Sequence, residues 1–164
     1  MDLDRNGLEV LDRAESLRLL GTVVLGRIAI SSKALPVVLP VNFSFDGRRI
    51  LFRTGAGTKL DAATDNTVVA FEVDEFDLER QSGWSVVVTG VAREVTDRGE
   101  LADARRRPIT RWAGGADSRV VSISADLVSG RRIHPPGPTL VTGSVNRSPA
   151  RATSIRRDRS GRGS

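Results

Sequence analysis

Apolar positions recur along this chain with two different periods. Residues 8–20, Leu-Glu-Val-Leu-Asp-Arg-Ala-Glu-Ser-Leu-Arg-Leu-Leu, predict an amphipathic helix. Asp12 is placed to cap it, Glu15 stands three residues later as in a capping box, and Gly21 ends it. After Gly21 the period shortens. Segments rich in Val and Ile at 22–31, 37–45, 49–54, 67–74, 84–96 and 119–124 predict strands, several of them strictly alternating. Residues 97–107 predict a short charged helix, capped by Asp97, stopped by Pro108 and presenting a solvated face. Six strands with few helices point to an all-β-dominated antiparallel barrel or sandwich.

The dipeptide Asp46-Gly47 is a two-residue hairpin signal. A turn there sets Phe45 opposite Arg48, Phe43 opposite Ile50, Val41 opposite Phe52 and Pro40 opposite Arg53. Since side chains alternate across a strand, Val41, Phe43, Phe45, Ile50 and Phe52 share the core face. Asn42, Ser44, Leu51 and Arg53 share the other, which is either solvated or lines a groove.

The hairpin leads into Phe52-Arg53-Thr54-Gly55-Ala56-Gly57-Thr58-Lys59. Two glycines, two hydroxyls, an arginine and one of only two lysines are gathered in eight residues. A phosphate uses that set: backbone N–H groups free to turn, hydroxyl donors and fixed positive charge. The spacing is neither a P-loop, which needs a glycine before the lysine, nor a dinucleotide fingerprint, which needs a third glycine. Two readings stand at this point. One is an ordinary strand-to-helix loop. The other has Thr58 capping the run 59–63, with a phosphate at the helix N-terminus.

Composition narrows the chemistry. The 164 residues suit one domain with a core of its own. There is no cysteine and a single histidine, His134, which excludes disulfides, thiolate chemistry, histidine metal clusters and a charge-relay triad. The start, Met-Asp-Leu-Asp-Arg, has no apolar signal region, and the apolar stretch 19–30 is too short for a bilayer and contains Arg27. The expectation is a soluble cytoplasmic protein without a membrane partner. The net charge of +5 sits in the tail: from Pro135 onward there are six arginines and one acid, Asp158, so residues 1–134 are neutral. A neutral fold argues against a nucleic-acid-binding domain. The tail, 135–164, is rich in Pro, Gly, Ser, Thr and Arg and is expected to be disordered. It supports only weak, salt-sensitive contacts with nucleic acid. The boundary is therefore drawn at 1–134 and 135–164.

The ordered series Gly-Arg-Ile-Ala-Ile (26–30), Leu-Pro-Val-Val-Leu-Pro-Val-Asn-Phe (35–43), Leu-Phe-Arg-Thr-Gly-Ala-Gly-Thr-Lys-Leu (51–60), Val-Ala-Phe-Glu-Val-Asp (69–74) and Gly-Trp-Ser-Val-Val-Val-Thr-Gly-Val-Ala (83–92) resembles the FMN-binding split-barrel superfamily of pyridoxamine 5′-phosphate oxidase. The resemblance covers residues 8–133 and is greatest to a small bacterial subgroup without assigned functions. It implies a six-stranded antiparallel split β-barrel with short flanking helices. It also implies a homodimer, with FMN in grooves between the subunits. Arg53, Thr54, Thr58 and Lys59 would hold the flavin phosphate. Val41 and Asn42 would run along the ring system, with Asn42 at its polar edge. Trp84 and Ser85 would approach from the partner subunit, and Trp112 would also reach the pocket. The arginine and histidine with which the oxidase itself holds pyridoxamine phosphate have no match in this chain. The implied activity is flavin-dependent hydride transfer to or from a small molecule. Relatives on this scaffold use a deazaflavin coenzyme or haem, and a non-catalytic flavin- or haem-binding module is the alternative. The remaining candidates read structurally. His134 reads as a solvated chain end rather than a haem ligand, Glu72 as an outward or barrel-rim carboxylate, and Trp84 and Trp112 equally as core or interface packing.

Overall fold

The computed structural model describes residues 1–55, 60, 64–107, 109 and 118–135. The elements are β1 (Glu9–Leu11), α1 (Arg13–Leu20), β2 (Leu25–Ser32), β3 (Leu35–Phe45), β4 (Arg49–Gly55), β5 (Thr67–Asp77), β6 (Ser82–Glu94), α2 (Arg98–Arg106), β7 (Ser118–Ser124) and β8 (Leu127–Ile133). Strands β6, β5, β2, β3, β4 and β7 form a closed antiparallel ring, because β7 pairs with β4 on one side and returns to β6 on the other. This is the expected six-stranded barrel, and β8 and β1 extend it beyond β6. Among the described residues no helix is long and apolar enough to cross a membrane.

The split in the barrel lies along β6. Eleven of its 13 residues, 82–92, pair with β5 on one edge, and the other edge is shared. Residues 83–89 take β8 and residues 92–94 take β7. Gly90 sits at the division, where a Cβ would lie 1.7 Å from the Ser124 carbonyl oxygen. Only glycine lets the end of β7 come that close. The Ser124 hydroxyl then accepts the Val91 N–H at 3.0 Å and donates to Asp126 Oδ2 at 2.6 Å, sealing the seam.

The core face of the hairpin is as the alternation predicts. Phe43, Ile50 and Phe52 are fully buried, and Val41 and Phe45 pack against the same cluster. Phe43 meets Phe71 of β5 edge-on, with ring centroids 4.8 Å apart. Each such phenyl contributes roughly 2–3 kcal/mol of apolar burial. The register differs from the expectation by two residues on β4, because the turn moves on by one. Phe45 faces Ile50 and Phe43 faces Phe52, and Asp46 N–H bonds the Arg49 carbonyl. The turn residues are therefore Gly47-Arg48, not Asp46-Gly47. Gly47 has φ +95°, which favours glycine at the first central position of a type II′ turn. The Asp46 carboxylate accepts the Arg48 and Arg49 N–H groups at 2.8 Å and holds that turn.

The helix predicted over 8–20 starts at Arg13. Asp12 is its N-cap and accepts the Glu15 N–H at 2.7 Å, while residues 9–11 pair with β8 as a strand. Asp97 likewise caps α2 through the Glu100 N–H. That helix is not simply a solvated face. Leu101 and Ala104 cover Leu51, Val95 and Val120 on the outside of the barrel, forming a second small apolar cluster with Ile109. Residues 136–164, most of the expected tail, lie outside the described residues, as does Pro108.

Candidate functional site

Alternation along β4 sends its last side chains to opposite faces. Thr54 follows Phe52 inward and is 6 % exposed, its hydroxyl 3.5 Å from the Gly55 carbonyl. Arg53 follows Leu51 outward, half-buried, and faces Val120 of β7 rather than Pro40. The Arg53 Nε is buried and has no hydrogen-bond partner among the described residues. A buried guanidinium N–H without an acceptor costs about 1–3 kcal/mol, more than a neutral donor in the same position.

Asn42 of β3 faces Leu25 of β2. It stands one residue beyond the Phe43–Phe52 pair, as Arg53 does on β4, so the two are level on the outer face at the same end of the hairpin. Val41 faces Gly26 and packs against the core. The fold thus gathers Asn42, Arg53 and Thr54 at the mouth of the glycine-rich loop. Thr58 and Lys59 lie outside the described residues. Leu60 packs against the main core, and the buried Thr64 hydroxyl donates to the Leu60 carbonyl at 2.8 Å.

Trp84 and Ser85 are elsewhere. Trp84 pairs with Glu75 of β5 and Arg132 of β8, and Ser85 pairs with Asp74 and Arg131. Trp84 is half-buried against the main core and lines a cleft of about 580 Å³ with Glu75, Phe76, Arg80, Arg132 and His134. The Arg53 level of the barrel corresponds to the far end of β6, where Val95 N–H bonds the Val120 carbonyl. Along β6 the eleven residues from Trp84 to that level span about 36 Å. The other way round the ring, the register runs Arg53, Asn42, Leu25, Asp74 and Ser85 in one row, which sets Ser85 four strand spacings, about 19 Å, from Arg53. Within one chain the two sets do not meet. Trp112 lies outside the described residues.

Arg132 and His134, beside Trp84, are both paired. Arg132 bonds Glu9 and Glu15, Arg18 also bonds Glu15, and His134 Nε2 lies 2.7 Å from Glu9 Oε2. His134 is exposed, as expected of a solvated chain end, and also contacts Glu9 of β1. The two arginines pull Glu15 down to a pKa of about 2. Glu72 points outward, as expected, and is held by Arg27 at 3.1 Å. No His, Asp or Glu cluster fit for a metal occurs among the described residues. Sequence reading missed the grouping of Arg48, Arg49 and Arg93 at the β4–β7–β6 seam. No local motif signals it, since two strands and a turn supply the residues.

A sequence profile of the family described as pyridoxamine 5′-phosphate oxidase matches residues 12–132. An uncharacterised protein of Mycobacterium tuberculosis is 40 % identical over 128 residues, covering 75 % of this chain and 84 % of its own. The structure of an FAD-binding protein from Mycobacterium smegmatis superposes with a TM-score of 0.70 at 39 % identity, covering 77 % of this chain and 98 % of that one. A conserved protein of unknown function from Corynebacterium diphtheriae does so with a TM-score of 0.63 at 32 % identity, covering 76 % and 96 %.

Proposed function

Since the chain belongs to the pyridoxamine 5′-phosphate oxidase family, we propose that it is a flavin-dependent oxidoreductase acting on a small molecule, with FMN as cofactor. The observation that carries this reading is the partnerless, buried Nε of Arg53 at the foot of the loop 52–59. A flavin phosphate is an acceptor that fits it: a dianion, bound by guanidinium, backbone N–H and hydroxyl donors. Arg53, Thr54, Thr58 and Lys59 hold the phosphate, and Val41 and Asn42 border the ring system. A bound flavin supplies the hydride chemistry. The chain supplies position, the positive charge at the phosphate and, at Asn42, a side-chain amide for the polar edge of the ring.

The groove is completed by a second copy. Pairing across β3, β2, β5, β6 and β8 sets Val38, Ala29, Ala70, Thr89 and Leu127 in one outward row. Val38 and Leu127 are 60 % and 70 % exposed, and Val68 in the adjoining row is 71 % exposed. Apolar side chains so aligned favour burial against a like surface. A dimer also answers why Trp84 and Ser85 are far from Arg53 in one chain: they serve the partner's groove.

FAD is the second reading, favoured by the 39 % identical M. smegmatis protein, which is described as FAD-binding. FAD contains the same phosphate-bearing half, so the cradle suits both. Titration of the purified protein with FMN, FAD, a deazaflavin coenzyme and riboflavin, followed by tryptophan quenching, separates the choices. Arg53→Gln and Lys59→Ala are each expected to weaken FMN by about 10–100-fold while leaving riboflavin nearly unchanged. Equal loss for both ligands removes these residues from the phosphate role, and no binding of any flavin overturns the proposal.

A further inference from the structure

A second set of arginines converges away from the flavin groove. Arg48 in the β3–β4 turn, Arg49 at the start of β4 and Arg93 near the end of β6 line one cleft of about 500 Å³. Asn66, Val91, Ser122 and Ser124 complete its wall. Strand pairing builds it, with Arg49 opposite Ser124 and Arg93 opposite Ser122. The cleft lies on the outer face where β4, β7 and β6 meet.

The charges in it are not used up by the fold. Arg49 is pinned from behind, its Nε on Asp46 at 3.1 Å and one terminal nitrogen on Glu100 at 2.9 Å. Its other terminal nitrogen takes no part in either bond. Among the described residues Arg48 and Arg93 make no ion pair, unlike Arg27, Arg131 and Arg132 on the neighbouring strands. Ser122 is 2 % exposed, and its hydroxyl has only the Arg93 carbonyl at 3.5 Å, too long for a strong O–H···O bond. Of the acids nearby, Asp46 and Glu100 hold Arg49, Asp126 accepts from Ser124, and Asp65 accepts from Asn66 at 3.3 Å. Among the described residues, a pinned guanidinium, two unpaired ones and a poorly satisfied buried hydroxyl form a donor set without an acceptor.

We infer that this seam cleft is a second anion site, which takes the phosphate of a small, polar phosphomonoester. Guanidinium pairs match phosphate oxygens geometrically, and the volume lies in the small-molecule range. Val91 is the one apolar residue in the wall, so the body of the ligand is polar. The site is distinct from the Arg53 cradle. Arg49 and Arg53 are four residues apart on β4, about 13 Å, and Leu51 between them is buried under α2. The inference stands whether or not the chain binds a flavin.

The test is calorimetric titration of the full-length protein with ribose 5-phosphate, with ribose as control, on wild type, Arg53→Gln and the double variant Arg48→Gln/Arg93→Gln. Expected are binding to wild type that persists in Arg53→Gln, a loss of at least tenfold in affinity in the double variant, and no binding of ribose. Both substituted side chains are exposed. A circular dichroism melt verifies the fold, and the single variant Arg93→Gln provides the same reading if the double variant is unstable. Absence of binding to wild type overturns the inference. So does binding lost in Arg53→Gln but retained in the double variant, since the phosphate would then be reading only the flavin cradle. Equal binding of ribose overturns it as well.

Discussion

Arg53 and Arg132 are both half-buried arginines at the rims of one barrel, and the fold treats them in opposite ways. Arg132 is gripped from two directions, by Glu9 of β1 and Glu15 of α1. Those contacts fasten the two added elements onto β8. Arg53 is brought to the mouth of a glycine-rich loop with its Nε buried and nothing to bond. Folding alone has no use for that arrangement, because desolvating a charged donor without an acceptor is unfavourable. The contrast separates charge that holds the fold together from charge held ready for something else. The same distinction isolates Arg48 and Arg93 from Arg49 at the seam.

The largest expected effect lies on the Arg132 side. Gly130 lets α1 dock: a Cβ there would stand 2.4 Å from Ser16 Oγ and 3.0 Å from Leu11 Cβ. Ser16 is fully buried and tied to the Asp12 carbonyl at 2.7 Å, so it has no room to yield. Gly130→Val is expected to cost about 2–3 kcal/mol by overpacking, which is a fall in Tm of roughly 5–10 °C. If this region is structural only, the ratio of FMN to riboflavin affinity in the surviving folded protein stays as in wild type. A changed ratio would mean that the two regions are not separate.

Next in size is a pair of substitutions with opposite signs. Arg53→Leu removes the partnerless donor, so the flavin-free protein is expected to be as stable as wild type or more stable, by about 1 kcal/mol. Arg132→Leu leaves Glu9 and Glu15 facing one another without their shared cation, and Tm is expected to fall. Melts of both variants in the absence of any flavin check this. A fall in Tm for Arg53→Leu comparable to that for Arg132→Leu would place Arg53 among the structural residues.

The two regions were not equally legible in the sequence. Period-two alternation of Val, Ile and Phe marked the ring strands, and it marked the faces too, since Phe43, Ile50 and Phe52 are buried as the alternation requires. A register shifted by two residues preserves face assignment, which is why the hairpin faces survived the wrong turn. The turn itself was misplaced because Asp46-Gly47 is a strong local signal, whereas Asp46 uses its carboxylate to cap the turn from outside it. The added strands were missed for a different reason. β1 is three residues long, and Leu-Glu-Val-Leu fits a helical period as well as an extended one. In β8, Gly130 reads as a breaker, yet it is there to admit Ser16. Tertiary contact decides both elements. At the candidate site, the loop chemistry of Arg53 and Thr54 was visible. The level placement of Asn42 with Arg53 depended on register, and the seam arginines required the closed barrel.

The smallest effect tests the Arg132 side by pH. Glu15 has its pKa lowered from 4.5 to about 2 by hydrogen bonds from Arg18 and Arg132 and by their charges. A carboxylate with a depressed folded-state pKa contributes stability that is fully present above its unfolded value and is lost as pH falls through the folded one. The contribution is therefore complete above about pH 4.5 and declines toward pH 2. Solvent screens the pair, so the effect is small. Comparing wild type with Glu15→Gln isolates it, because Asp4 and Asp46, whose values are also lowered, titrate in both proteins. The gap in Tm between the two is expected to be constant from neutral pH down to about 4.5 and to close as pH approaches 2. Raising the salt concentration is expected to narrow it across the upper range. A gap that stays open at pH 2 would show that Glu15 acts there through packing on α1 and β8, and the clamp on Arg132 would then rest on Glu9 alone.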